Sequence, residues 1–263
     1  MISMLHKRRY ALVFTFLLVA ALAGAQQSSK GIIVQRFAYK IGSSRITLKK
    51  TTFPPHSRYF IVLLHDNENT AEHAATAFLK QHGGTLLAID NKDKRLIRFT
   101  AGSRSYLFDP NRIFTSVGIR QNLSLFRSYT PGNAKAVAGF RAFLLSLVPS
   151  SALLIAVHNN TEGLYSIHSY KNPRALLHQA ALTHINPRQD KDHFFVTTGY
   201  GVFKKLKQAG YNAVLQRRHS AADDGSLSYY CSRKGRAYVN VETQFGSFTT
   251  QLRMLEALKG IVK

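Results

Sequence analysis

The stretch Tyr59-Phe60-Ile61-Val62-Leu63-Leu64, running into His65-Asp66-Asn67-Glu68, decides the fold. Six apolar residues ending abruptly in polar ones are the mark of a strand buried on both faces. The spacing of Ala71, Ala74, Ala75, Phe78 and Leu79 then predicts a helix over 70–81, stopped by Gly83-Gly84. A second strand over 85–89 completes a strand–helix–strand unit. Ala152-Leu153-Leu154-Ile155-Ala156-Val157, which runs into His158-Asn159-Asn160, repeats the opening pattern. Between the two lies an amphipathic helix over 133–148, begun after Pro131-Gly132. Further strands are expected over 95–100, 105–108, 194–198, 213–216 and 238–241, and further helices over 201–209 and 249–262. This alternation predicts an α/β fold, a mainly parallel, twisted mixed sheet with helices on both faces. No repeat, low-complexity tract or Pro/Gly-rich linker divides the chain, so residues 26–263 are expected to form one domain.

The chain has 263 residues, 45% hydrophobic and 11% aromatic, which excludes a disordered protein. One cysteine, Cys231, excludes an internal disulfide and a thiolate zinc knuckle; it reads as a small buried hydrophobe. With 36 Lys+Arg against 13 Asp+Glu, the formal charge is +23, which taken alone suggests a nucleic-acid partner. The first 25 residues redirect that reading. His6-Lys7-Arg8-Arg9 is a cationic start, residues 10–25 are uncharged and apolar, and Ala23-Gly24-Ala25 resembles a signal-peptidase site. The expectation is a signal peptide over 1–25, cleaved before Gln26, and a periplasmic or secreted protein; a retained membrane anchor is the alternative. Loss of Lys7, Arg8 and Arg9 leaves a charge of +20, now facing envelope components rather than DNA or RNA.

In parallel sheets, sites form beyond the carboxyl ends of the strands. Two buried strands run into histidines there, His65 and His158. His65 and Glu68 are three residues apart, close enough for imidazole and carboxylate to converge on one ion. A histidine from the second strand would complete three ligands and leave a zinc position open for water. Asp109-Pro110-Asn111-Arg112-Ile113-Phe114 and Tyr238-Val239-Asn240-Val241-Glu242 follow in the chain.

In that order, His-x-x-Glu, Asp-x-Asn-Arg-x-Phe, strand-end His and strand-end Glu resemble the zinc carboxypeptidase clan, and within it the succinylglutamate desuccinylase/aspartoacylase family. The resemblance spans residues 65–242. It implies one zinc ion held by His65, Glu68 and His158, with Glu242 as general base. It further implies Asn111 and Arg112 gripping a substrate's free carboxylate, and Arg104 assisting at the carbonyl oxygen. His168, within Tyr165-Ser166-Ile167-His168-Ser169-Tyr170, is an alternative third ligand. The family's acidic residue before the histidine is replaced by Val157, so the group orienting the His158 ring must come from elsewhere. The basic stretches Arg217-Arg218-His219 and Arg233–Arg236 read as a loop, and one hypothesis places them at the cleft rim.

The expected function is an exported zinc hydrolase cleaving an amide or peptide bond beside a free carboxylate, on cell-wall peptide or another carboxylate-rich polymer. Two alternatives stay open: deacylation of an N-acyl amino acid, and a non-catalytic module binding anionic envelope material.

Overall fold

The computed structural model of the protein describes residues 25–29, 31–150, 153–173, 176–219 and 221–261. The expected export signal, apart from Ala25, lies outside them. Among the described residues no helix is long and apolar enough to cross a membrane.

The chain enters through three antiparallel strands, β1 (Ala25–Ser29), β2 (Ile32–Ile41) and β3 (Ser44–Phe53). The strand β4 (Phe60–Leu63), helix α1 (Asn69–His82) and strand β5 (Gly84–Asp90) then form the expected unit. At its hinge Gly83 has φ +73°, and a Cβ there would overlap the carbonyl oxygen of Pro55. A hairpin of β6 (Ile97–Ala101) and β7 (Arg104–Phe108) stands apart as a two-stranded sheet. It leads through α2 (Ser116–Leu125) and α3 (Pro131–Ser146), whose N-caps are the Thr115 and Thr130 side chains. There follow β8 (Leu154–Asn160), β9 (Ala180–His184), β10 (Phe194–Thr197), α4 (Tyr200–Gln208) and β11 (Ala213–Gln216). The chain closes with α5 (Leu227–Lys234), β12 (Tyr238–Gln244) and α6 (Phe248–Ile261).

Ten strands make one mixed sheet in the order β1-β2-β3-β5-β4-β8-β12-β10-β11-β9. Its centre, β5-β4-β8-β12, is parallel, and β10 and β11 form a further parallel pair pointing the other way. Helices cover both faces. Ile61, Leu63, Ile155, Val157, Val239 and Val241 pack beneath α1, α4 and α6. Phe60, Val62, Leu154, Ala156 and Tyr238 pack on the other face, under α2, α3 and α5. A third apolar cluster, Ile167, Tyr170, Phe194, Val196 and Val214, lies beside it. Side chains alternate across a strand, so Val239 and Val241 serve one core while Tyr238, Asn240 and Glu242 face the other side. There the second and third clusters part, and polar side chains line the gap.

Every strand and helix expected from the sequence forms, with ends displaced by up to three residues. The largest displacements are extensions: β8 runs to Asn160 and β12 to Gln244, so His158 and Glu242 sit inside the ladder rather than past it. The sequence reading missed β1, β2, β3, β9, α2 and α5. It also took Arg233 and Lys234 as loop, where they end α5 behind the Ser226 N-cap.

Candidate metal centre and its cavity

Three buried side chains converge at the carboxyl end of the parallel strands. His65 follows β4 at 1% exposure, Glu68 precedes α1 at 3% and His158 lies on β8 at 4%. Glu68 occupies the N-cap position of α1, yet its side chain caps nothing. Its Oε1 instead accepts from His65 Nδ1 at 2.9 Å and its Oε2 from His158 Nδ1 at 2.9 Å. The capping falls to Asn159, whose Oδ1 accepts from the Ala71 N–H at 2.9 Å. Asn159 also donates to Gln251 Oε1 at 3.0 Å, while Gln251 Nε2 donates to the His158 carbonyl at 3.0 Å. The polar residue after His158 therefore ties the start of α1 to β8 and fixes Glu68 against His158.

The other nitrogen of His65, Nε2, meets Asp109 Oδ1 at 2.8 Å. Asp109 is held by Asn122 Oδ1, which accepts from the Asp109 N–H at 3.0 Å, and by its own acceptance from Asn111 N at 2.8 Å. Such a carboxylate behind an imidazole fixes the ring's tautomer and raises its basicity. Arg95 completes the first ring of contacts, donating from Nη1 to Glu68 Oε1 at 2.8 Å. His158 Nε2 is buried and makes no hydrogen bond among the described residues. Val157 supplies no carboxylate there, and among the described residues no other side chain replaces it.

Burial works against charge on His65, but the Glu68 charge and the hydrogen bonds to Asp109 and Glu68 outweigh it and lift the imidazole to about 9. For Asp109 burial pushes upward, and the His65 bond and charge bring the carboxyl down to about 2. Glu68, also opposed by burial, is held well below the usual carboxylate range by His158 and His65. Two imidazoles clasping one buried carboxylate make an N,O,N donor set. One donor atom from each residue lies within 4.8 Å of the others. Tetrahedral zinc ligands stand roughly 3.3 Å apart, so the set fits one ion with small adjustments.

The cluster opens into a cavity of about 760 Å³ on the α2/α3/α5 face. Glu242 lies in it, 5% exposed, its Cα in register with His158 on the neighbouring parallel strand. Burial raises its carboxyl above the ordinary range and Glu68 adds to this, while His158 and the bond from Asn240 oppose it. Arg112 reaches the same cavity from a 3-10 turn over Pro110–Arg112, with Nη1 2.7 Å from Asp224 Oδ2. Asn111 lines it too, although its Oδ1 accepts from Leu227 N at 3.1 Å and so begins α5. Tyr165 and Tyr170 form the facing wall, hydroxyl to hydroxyl at 2.7 Å.

Thus the fold brings together six of the seven side chains singled out in the sequence: His65, Glu68, His158, Asn111, Arg112 and Glu242. Arg104 is the exception. It is exposed at the turn of the β6–β7 hairpin, paired with Ala101, and does not line the cavity. Arg95, from the loop before that hairpin, lines it beside Arg112. His168 is exposed on a 3-10 turn over Ile167–Lys171 and does not join the cluster. The basic stretch does not rim the cavity either. Arg217 donates from Nε and Nη2 to the Ala180 carbonyl, and Arg233 to the carbonyls of Arg218 and His219. Asp109 stood in the quoted motif without a role, and Asp224 and Arg95 carried no signal.

No family model matches the chain, and no curated protein matches it. Two solved structures resemble it. A candidate metallopeptidase from Shewanella denitrificans OS217 gives a TM-score of 0.40 at 12% identity, over 86% of this chain and 82% of that one. The murein-tripeptide amidase MpaA from Escherichia coli O157 gives 0.38 at 10% identity, over 81% and 86%. At TM-scores of this size neither likeness carries weight, and the chemistry has to be read from the side chains.

Proposed function

We propose that the protein is a zinc-dependent hydrolase that cleaves an amide or peptide bond beside a free carboxylate. The observation that carries this is one cavity holding a buried His65–Glu68–His158 donor set, a buried carboxyl on the adjoining strand and an arginine fork. His65, Glu68 and His158 would hold the ion. Once bound, zinc supplies a Lewis acid and brings the pKa of water down to about 7.

The rest of the work belongs to the chain. Glu242, whose burial favours the protonated form, takes a proton at its carboxylate and returns one to the departing amine, a transfer worth roughly 10²–10⁴ in rate. The Asn240 amide steadies the oxygen involved, 2.9 Å away. Arg112 receives the substrate carboxylate bidentately, which a lysine cannot do, and Asp224 sets the plane of its guanidinium. Asp109 and Asn159 keep the two histidines and Glu68 in place. A pure binding module has no use for a buried carboxyl beside a donor set.

The apolar segment over 10–25 and the mature charge support a place outside the cytoplasm and a cell-wall peptide substrate. The test is zinc-loaded protein lacking residues 1–25, screened against muropeptides, poly-glutamates and N-acyl amino acids, with Glu242→Gln as control. Hydrolysis of N-acyl amino acids alone would assign the deacylase activity instead. No zinc uptake, or full rate in Glu242→Gln, would remove the hydrolase mechanism.

A further inference from the structure

The cavity continues past the metal centre along β12 to Asn240, one alternation before Glu242. Asn240 Nδ2 donates to Glu242 Oε1 at 2.9 Å. The contact orients the amide: Nδ2 faces Glu242, and Oδ1 is turned away from it. Asn240 is 6% exposed, lines the cavity, and its Oδ1 makes no hydrogen bond among the described residues. A buried acceptor left without a donor is costly and calls for a partner.

The nearby amides do not provide one. Ser228 Oγ donates to Gln216 Oε1 at 3.0 Å, Gln216 Nε2 to Gln179 Oε1 at 2.9 Å, and Gln179 Nε2 to the Ala222 carbonyl at 2.6 Å. None of these donors is given to Asn240 Oδ1. Asp224 adds a negative charge to the lining of the same cavity, its Oδ1 accepting from Ser226 N at 3.0 Å and its Oδ2 from Arg112. When Arg112 receives a substrate carboxylate, one guanidinium faces two anions. A cation on the substrate would restore the balance.

We propose that this end of the cavity is a subsite for an ammonium group on the same substrate residue whose carboxylate Arg112 holds, with Asn240 Oδ1 as its acceptor and Asp224 as its counter-charge. The inference rests on Arg112 as the carboxylate anchor. It narrows the substrate class to residues ending in both an amine and an acid. Wider cell-wall chemistry and simple N-acyl acids differ on this point.

The test is calorimetric binding of ω-amino carboxylates, from β-alanine to ε-aminocaproate, against the plain carboxylates of equal length, using zinc-loaded protein. At least one amino acid is expected to bind about tenfold or more tightly than its amine-free counterpart, the size of a charge-assisted hydrogen bond. In Asn240→Leu and in Asp224→Asn that ratio falls towards one; taking the ratio cancels any shared loss at Arg112. Equal binding of amine and non-amine at every length, or a preference that survives both substitutions, overturns the subsite. If that preference is absent while plain carboxylates bind and stop binding in Arg112→Ala, the anchor stands and the subsite falls. Failure of every probe to bind removes both.

Discussion

Gly118→Ala tests how the substrate arm of the cavity is built. Gly118 lies in the first turn of α2, where the Thr115 hydroxyl caps its N–H at 2.9 Å. Across from it runs the loop carrying Asp223, Asp224 and Gly225. A Cβ on Gly118 would overlap Gly225 Cα and stand 2.9 Å from the Gly225 nitrogen and 3.0 Å from the Arg112 carbonyl oxygen. All three are backbone atoms, so no rotamer change relieves the crowding. The loop is also pinned in place: Phe114 N donates to the Gly225 carbonyl at 2.9 Å, and Thr115 Oγ1 to Asp223 Oδ1 at 2.7 Å. Without the contact, alanine would gain up to about 1 kcal/mol in helix propensity. Overpacking against backbone costs about 1–3 kcal/mol, so the net sign should be a loss. Each kcal/mol lowers Tm by about 2–4 °C in a protein of this size. Gly132→Ala in α3 is the control, because its nearest neighbour would be Thr130 Oγ1 at 3.8 Å. Urea titration followed by circular dichroism should place Gly118→Ala below the unchanged protein and Gly132→Ala at or above it. The loop shift would move Asp224 from Arg112, so carboxylate binding should weaken while zinc content stays constant. If Gly118→Ala matches Gly132→Ala in stability, the reasoning about backbone contact is wrong.

Glu242→Gln should lower kcat by about 10²–10⁴ with zinc stoichiometry unchanged, read from initial rates and metal analysis together. Arg112→Lys should raise KM about tenfold or more and leave kcat less affected, since a lysine loses the fork but keeps the charge. In metal-free protein the His65 imidazole, raised from 6.5 to about 9, contributes stability that is complete below pH 6.5 and is lost as the pH rises through about 9. Thermal melts across that window should show the decline and His65→Asn should flatten it; zinc uptake at neutral pH should release protons, measurable by calorimetry in buffers of different ionisation enthalpy. Burial pushes the Cys231 thiol up to about 12, so native protein should resist alkylation at pH 8 and react once unfolded in urea.

The parts of the molecule legible in the sequence are those whose burial is symmetric. β4 and β8 are covered on both faces, so each appears as an unbroken apolar run, and the polar residues just past the apolar part are the ones aimed at the site. β2 and β3 were illegible for the opposite reason. As part of an edge meander, β2 alternates half-buried with exposed positions and β3 buried with half-buried ones, and Arg36, Lys40, Lys49 and Lys50 break the apolar pattern. α5 is eight residues, six of them Ser, Tyr or basic, held by one cap and too short for a helical period to show. The same distinction runs through the site. The donor set and Glu242 are anchored on or beside strands of the parallel core, and their chemistry could be read from strand position. The partners that give them direction come from loops far away in sequence, Asp109 for His65 and Asp224 for Arg112, separated by 44 and 112 residues. Arg104 was misplaced because a hairpin intervenes: its turn carries Arg104 outward to solvent, while Arg95, just before the hairpin begins, points back to Glu68. In the sequence Asn240 is only a polar residue inside the stretch that ends at Glu242. In the fold it has a position: one alternation from the proposed base, buried, oriented by it, and facing the space a substrate would fill.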